Sequence, residues 1–254
     1  MGKELTPPSL NLWRVGLLVS VLGSWLWISS ADPVIRDSFG DPISVLSQLG
    51  SWIVDGSIFY QLGLTALEAL LGFAAGSILG ILVAFLFLFA PPLRRLFDPF
   101  IVIFAVVPRI VLAPIFMIWF GLGISSKAAL VTLIVFFIVY FNVEAGLRNV
   151  QGVLIDRARL MGAGGFGLMR EIYFPASLVW LLSSLKVSVG FAFLGAIVAE
   201  YLGATAGIGS LIAVAQSQND PNGVMAGLLV VFLSVVPLDR LLAKIERRAD
   251  AWRG

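Results

Sequence analysis

The chain of 254 residues has no cysteine and no histidine, and only 13% of its residues are charged. Without histidine the commonest general base is missing. Without either residue there are no thiol nucleophiles, no disulfides and few ways to ligate zinc or copper. A rhomboid-like Ser–His site and an H-E-x-x-H metalloprotease are both excluded, and no apolar run holds two aspartates for an aspartyl protease. The string G-x-x-x-x-G-K-[S/T], whose backbone N–H groups and lysine hold nucleotide phosphates, is also absent. The glycines at 162, 164, 165 and 167 are followed by no Lys-Ser/Thr pair. The chain is therefore not expected to be an enzyme, and no metal or cofactor is expected in it.

What is present is apolar: 59% of the residues are hydrophobic. Soluble domains carry roughly 25% charge, so here lipid is expected to be the solvent for much of the surface. Runs long enough to cross a bilayer, about 20 residues each, fall near 13–28, 60–90, 100–120, 128–143, 176–202 and 224–238. Trp25 and Trp27 suit an interfacial end of the first run, which lacks a small-residue cleavage site. Pro108 and Pro114 interrupt the third, so it is read as kinked and interior. In the second run, Gly72, Gly76, Gly80 and Ala84 recur every four residues and read as a helix-packing stripe. Of the 17 Lys and Arg residues, thirteen fall on one side if both termini are cytoplasmic, Arg94, Arg95, Arg148, Arg157, Arg159 and Arg170 among them. Arg36 and Lys127 fall in outer loops, and Arg109 and Lys186 within spans. The expected fold is an all-α integral membrane protein with six transmembrane helices, N-in and C-in.

Three segments follow from this reading: an N-terminal span with an outer amphipathic stretch (1–57), a five-span core with a long cytoplasmic loop at 144–175 (58–240), and a cytoplasmic tail (241–254). In the outer stretch, Ile43, Val45, Leu46, Leu49, Trp52 and Ile53 recur at helical spacing. This suits a helix lying on the membrane interface or on the protein's own outer ends.

The cytoplasmic loop between the fourth and fifth runs is too polar to span and too long for a plain connector. Its spacing predicts a helix over 155–161 with Asp156 in the first turn, and Gly162 as a left-handed stop. A second short helix is expected over 166–173, ended by Pro175, which opens the fifth span. The loop reads either as a docking element for a cytoplasmic partner or as an ordinary basic connection.

The residues Asp156-Arg157-Ala158, then three residues, Gly162, nine residues and Ile172-Tyr173-Phe174-Pro175 resemble the cytoplasmic Glu-Ala-Ala…Gly…Ile-x-Leu-Pro motif of bacterial ABC importer permeases. Pro108-Arg109-Ile110-Val111-Leu112-Ala113-Pro114, Trp119-Phe120-Gly121, Val198-Ala199-Glu200-Tyr201-Leu202-Gly203 and Gly207-Ile208-Gly209 are similar to the nitrate/sulfonate/taurine type of that family. The resemblance covers about 65–213; Arg157 and Glu68 depart from its pattern. It implies a permease in the bacterial inner membrane whose motif (Asp156, Arg157, Ala158, Gly162, Ile172, Pro175) forms a coupling helix. It also implies separate ATP-binding-cassette ATPase subunits holding ATP and Mg, a second permease copy, an extracytoplasmic solute-binding protein, and no nucleic acid. The implied solute is a small anion such as a sulfonate, taurine, nitrate or bicarbonate, with aromatic carboxylates and pyrimidine vitamin precursors as alternatives.

Charges within spans need a role or a partner. Arg109 reads as an anion-attracting pathway residue or as a partner of Glu68 or Glu200. Lys186 reads as a snorkelling structural residue. Glu68 is expected to pair within the bundle. Glu200 reads as an outer gate, a contact for the binding protein or a solvated helix end. Ser184 and Ser188 share one helix face and suit either a pathway or bonds to their own backbone. An ion-gradient transporter is the other class considered, but that class is usually built on internal repeats, and none is evident.

Overall fold

The computed structural model describes the backbone of residues 7–31 and 33–250, and side chains chiefly between Trp13 and Pro237. Lys3, Arg14 and the basic residues from Arg240 onward lie outside the described side chains. Among the described residues all regular structure is helical. In chain order the helices are α1 (Pro7–Ala31), α2 (Pro33–Phe39), α3 (Pro42–Val54), α4 (Ser57–Phe89), α5 (Pro91–Val106), α6 (Ala113–Phe120), α7 (Ile124–Arg148), α8 (Gly152–Leu160), α9 (Gly165–Leu168), α10 (Phe174–Gly203), α11 (Ile208–Ser217) and α12 (Pro221–Asp250). A 3₁₀ turn (Arg109–Leu112) precedes α6, and a π turn (Met169–Tyr173) precedes α10.

Proline sets many of these boundaries. Pro33, Pro42, Pro91, Pro114 and Pro221 stand in first turns, where the absent N–H has no helical acceptor to lose. Helices α4 and α7 and the run Gly165–Ser217 are each long and apolar enough to cross a membrane. A fourth crossing is made if α5 and the residues 109–120 count as one span, but these two pieces are bent by 95° at their junction. The expected third span is thus not one kinked helix. Pro108 withholds a donor at a point where Val107 is already extended, so the chain turns instead of continuing. The apolar parts of α1 and α12, Val15–Ala31 and Pro221–Val235, are shorter.

The chain divides into two compact units. One comprises residues 1–59 and 211–233, the other 60–210 and 234–254. In the first unit, Asp41 caps α3 by accepting from the Ser44 N–H at 3.0 Å and its hydroxyl at 2.9 Å, and these bonds hold its carboxyl below the usual carboxylate range. Val45 of α3 is buried while Ile43, Leu46 and Ile53 are exposed.

In the second unit α4, α7 and α10 pack as a three-helix core. The glycine stripe of α4 runs along a valine stripe on α7: a Cβ on Gly72 would strike Val131, one on Gly76 would meet Val135 at 2.8 Å, and one on Gly80 would meet Val139 at 3.0 Å. Val131, Val135, Val139 and Val143 are all fully enclosed. Both stripes climb in the same chain direction, so α4 and α7 are parallel. Helix α10 runs the other way, with Gly195 against Ile134 and Trp180 against Gly146. Lipid tails supply no hydrophobic drive between helices, so close approach through small residues is what holds them.

Candidate functional site

One end of the core carries the polar loop. There α4 ends, α5 begins and α7 ends. Arg94 on α5 pairs with Glu144 on α7, which also accepts from Arg148 at 2.8 Å. Phe89 and Tyr173 meet edge to face at 6.2 Å, and Phe85 and Phe174 lie 6.5 Å apart, so the residues before α10 lean on the end of α4.

From this base α8 projects. Its C-terminus is a Schellman motif: Ala163 N–H donates to Ala158 C=O at 2.9 Å, and Gly162 N–H to Arg159 C=O at 2.9 Å. Gly162 takes φ +86°, a conformation costly for any residue with a Cβ. The Ala-x-x-x-Gly spacing is thus that of a helix stop, with Ala158 supplying the carbonyl and Gly162 the left-handed turn. Helix α8 begins at Gly152, three residues before the expected start, and ends where expected. Asp156 and Arg157 are exposed, Ala158 half-buried. Leu160 is 88% exposed, Met161 89% and Phe166 76%, and Val153 and Leu154 of α8 are exposed as well. The same segment carries Arg157, Arg159 and Arg170, and large apolar side chains this exposed suit contact with a partner.

Downstream, the backbone does not break at Pro175 as expected. Phe174 N–H reaches back to Met169 C=O in a π turn, and the helix runs on into α10. The wider turn makes room for a proline ring that an α turn would drive into the preceding carbonyls. Ile172 is half-buried and Pro175 exposed.

The opposite end of the core holds a buried polar cluster. Glu200 on α10 accepts from Thr65 Oγ1 on α4 at 2.7 Å and from the Gly209 N–H at 2.8 Å. Thr65 in turn accepts from the Ile208 N–H at 3.1 Å, and Gln61 accepts from the Gly207 N–H. Gly207 has φ +107°, and a Cβ there would fall on the Glu200 carboxylate; one on Gly209 would meet Glu200 Cβ at 2.8 Å. The Gly-Ile-Gly string is therefore a backbone cradle for Glu200. Lys127, in the first turn of α7, lies 3.5 Å from Glu68 and donates to Leu122 C=O at 2.6 Å. Glu68 and Glu200 are 0% exposed and Lys127 2%. Lys127 is thus not an outer-loop lysine but the partner that Glu68 was expected to have, and Glu200 is not a solvated helix end.

A family model matches residues 76–251. This chain is a member of the binding-protein-dependent transport system inner membrane component family. It is 29% identical to the putative aliphatic sulfonates transport permease protein of Bacillus subtilis (strain 168), over 95% of this chain and 88% of the relative. It is 26% identical to the taurine transport system permease protein of Escherichia coli (strain K12), over 94% and 89%. A chain in the crystal structure of an amino acid ABC transporter with histidines shares the fold, with a TM-score of 0.65 at 17% identity, covering 79% of this chain and 97% of that one.

The remaining candidates of this transport component sit between the two ends. Arg109 lies just past the α5–α6 break. Its terminal nitrogen donates to Ala105 C=O at 3.0 Å, its guanidinium carbon lies 4.8 Å from the centre of the Phe137 ring, and its buried Nε has no hydrogen-bond partner among the described residues. The structure thus ties Arg109 to Ala105 and Phe137, while Glu68 has Lys127. Ser184 donates to Leu181 C=O at 2.7 Å in its own helix, whereas the enclosed Ser188 hydroxyl has no partner among the described residues. Lys186 is exposed. Sequence reasoning missed Thr65, Gln61 and Lys127. The signal that points to them is the number of charges on apolar helices, since two buried glutamates demand a buried cation and donors.

Proposed function

We propose that this chain is the membrane-spanning permease subunit of an ATP-driven importer for a small anion of the sulfonate or taurine type. One observation carries the reading: the motif segment forms a capped helix with bare apolar tips at the basic end of the core. Basic ends face the cytoplasm, which supports a position for α8 on the side where an ATPase works. Asp156, Arg157, Ala158, Gly162, Ile172 and Pro175 then form the coupling element, seated in a cleft of an ATP-binding-cassette subunit that supplies ATP and Mg. The chain itself performs no hydrolysis.

The full reading has six crossings with both termini inside, a bacterial inner-membrane location, two permease copies around one pathway, and an outer solute-binding protein. ATP and the loaded binding protein bias the same inward–outward equilibrium. Arg109 and Ser188 have hydrogen-bonding capacity left over and are assigned to the pathway. Ser184 lies on the same face as Ser188. Glu200 holds the outer end of the core. An aromatic carboxylate or a pyrimidine vitamin precursor is the alternative solute.

The test is co-purification with the cognate ATPase after scrambling residues 156–174. Assembly should be lost while membrane insertion persists. Retained assembly overturns the reading. The α5–α6 break favours one rival, an ion-gradient transporter, since such proteins bind solute at discontinuous helices. Uptake by the purified chain in vesicles without ATP would support that rival.

A further inference from the structure

The broken span, α5 and the residues 109–120, is fastened to α7 by two arginines. Near the start of α5, Arg94 donates to Glu144 Oε1 of α7. Just past the bend, the Arg109 guanidinium carbon lies 4.8 Å from the centre of the buried Phe137 ring of α7. Phe137 and Glu144 are seven residues apart, about two helical turns, so both points lie on one face of α7. Between them no residue of α5 is buried. The half-buried Leu93 and Ile101 pack against the core, and Phe97 stacks on Phe87 at 6.2 Å. Apolar packing on α5 is thus thin. The ion pair, with side chains 23% and 16% exposed, is largely shielded from water, where a charge-assisted bond is worth more than on an open surface. Glu144 stands at a second junction as well. It accepts from Arg148 at 2.8 Å, α7 ends at Arg148, and three residues later α8 begins.

We propose that Glu144 is a positioning residue: it holds α5, and through α5 the break that carries Arg109, to the end of α7 from which α8 projects. The purpose of this clamp rests on the transport reading above, in which movement of α8 reaches Arg109 by way of Glu144. Each charge of the link also has a partner on its own helix, Asp98 at 3.8 Å for Arg94 and Arg148 for Glu144. Cutting the link therefore leaves neither charge uncompensated, and single variants at either residue should fold. What they lose is the tie between two helices.

The test starts with the full chain purified in detergent. It has no cysteine, so Leu70→Cys on α4 and Val102→Cys on α5, both exposed, take a single pair of spin labels. Their distance distribution should be narrow when Glu144 and Arg94 are present. It should broaden or gain a second peak in E144Q and in R94Q, and stay unchanged in R148Q, which cuts only the bond within α7. The R94Q/E144Q double variant should match either single one, because all three lack the same link. With the cognate ATPase in vesicles, solute taken up per ATP should fall roughly 10-fold in E144Q and R94Q, about the worth of one hydrogen bond to a charged group. ATPase binding should stay at the wild-type level. Unbroadened distances in E144Q, or an R148Q variant that matches it, overturn the proposal. So does wild-type uptake per ATP in a variant whose distances have broadened. A wild-type complex that moves no solute overturns the transport reading instead, and the distances, which need neither ATPase nor solute, still decide the clamp.

Discussion

Thr65 Oγ1 on α4 lies 2.7 Å from Glu200 Oε1 on α10, 135 positions later in the chain. The same oxygen accepts from the Ile208 N–H at 3.1 Å, so one hydroxyl ties two helices and the turn after α10. Thr65→Val keeps the shape and removes both bonds. It is expected to cost roughly 2–3 kcal/mol, because a hydrogen bond to a charged group and a buried N–H are both lost. Chemical unfolding in detergent measures this. A change below about 0.5 kcal/mol would mean the bond contributes nothing net.

The glycine stripe makes a sharper test, because one helix carries its own control. On Gly76→Ala the new methyl group would meet the Thr132 carbonyl at 2.6 Å and Val135 at 2.8 Å, whereas on Gly63→Ala it meets nothing within 4 Å. Gly76→Ala is expected to destabilise by about 1–3 kcal/mol. Gly63→Ala should be neutral or slightly stabilising, since alanine is the better helix former. Equal effects at the two sites would refute the parallel α4–α7 packing.

For the proposed coupling element, the exposed tips are the most direct target. The double variant Leu160→Asp with Met161→Asp should insert and melt like the wild type, because neither side chain is packed. Its association with the ATPase should weaken by roughly 30-fold or more if these are the buried anchors of that interface. Binding measured by titration of labelled ATPase decides it.

Gly162→Val separates shape from surface. It leaves Leu160 and Met161 in place but forces a branched side chain into φ +86°. The expected local cost is on the order of 1–2 kcal/mol, with unwinding of the last turn of α8. Solute-stimulated ATPase activity should fall while the melting temperature of the core stays the same. Full stimulation would show that the cap geometry is irrelevant to coupling.

Arg109→Gln addresses the solute. If the guanidinium meets an anion, KM for uptake should rise by roughly 10-fold or more, the usual worth of a hydrogen bond to a charged group. Arg109→Lys should recover part of this, because it keeps the charge without the fork. An unchanged KM in both variants would leave Arg109 as a purely structural residue held by Ala105 and Phe137.

Much of this was legible in the residues. The prolines at 33, 42, 91, 114 and 221 mark helix starts because their chemistry is local. Gly162 marks a helix stop for the same reason, and the spacing Ala158 to Gly162 is a statement about one turn of backbone. The break at Pro108 was half legible: proline indicates an interruption, but a 95° bend depends on what α6 packs against. Pro175 was read as a break and is not one, since a π turn that the composition does not announce absorbs it. Lys127 was misplaced because a lysine beside Ser125 and Ser126 reads as loop. Only the arrival of Glu68 from another helix makes it a buried partner.

The sequence alone thus determined the apolar character of the surface, the helical class and the position of the helix stop at Gly162. Each of these follows from composition or from contacts within a few residues. Tertiary structure decided which charges meet, which glycines face a neighbour and how the third span turns. Those properties depend on residues far apart in the chain, such as Thr65 and Glu200, whose proximity exists only once α4, α7 and α10 have packed.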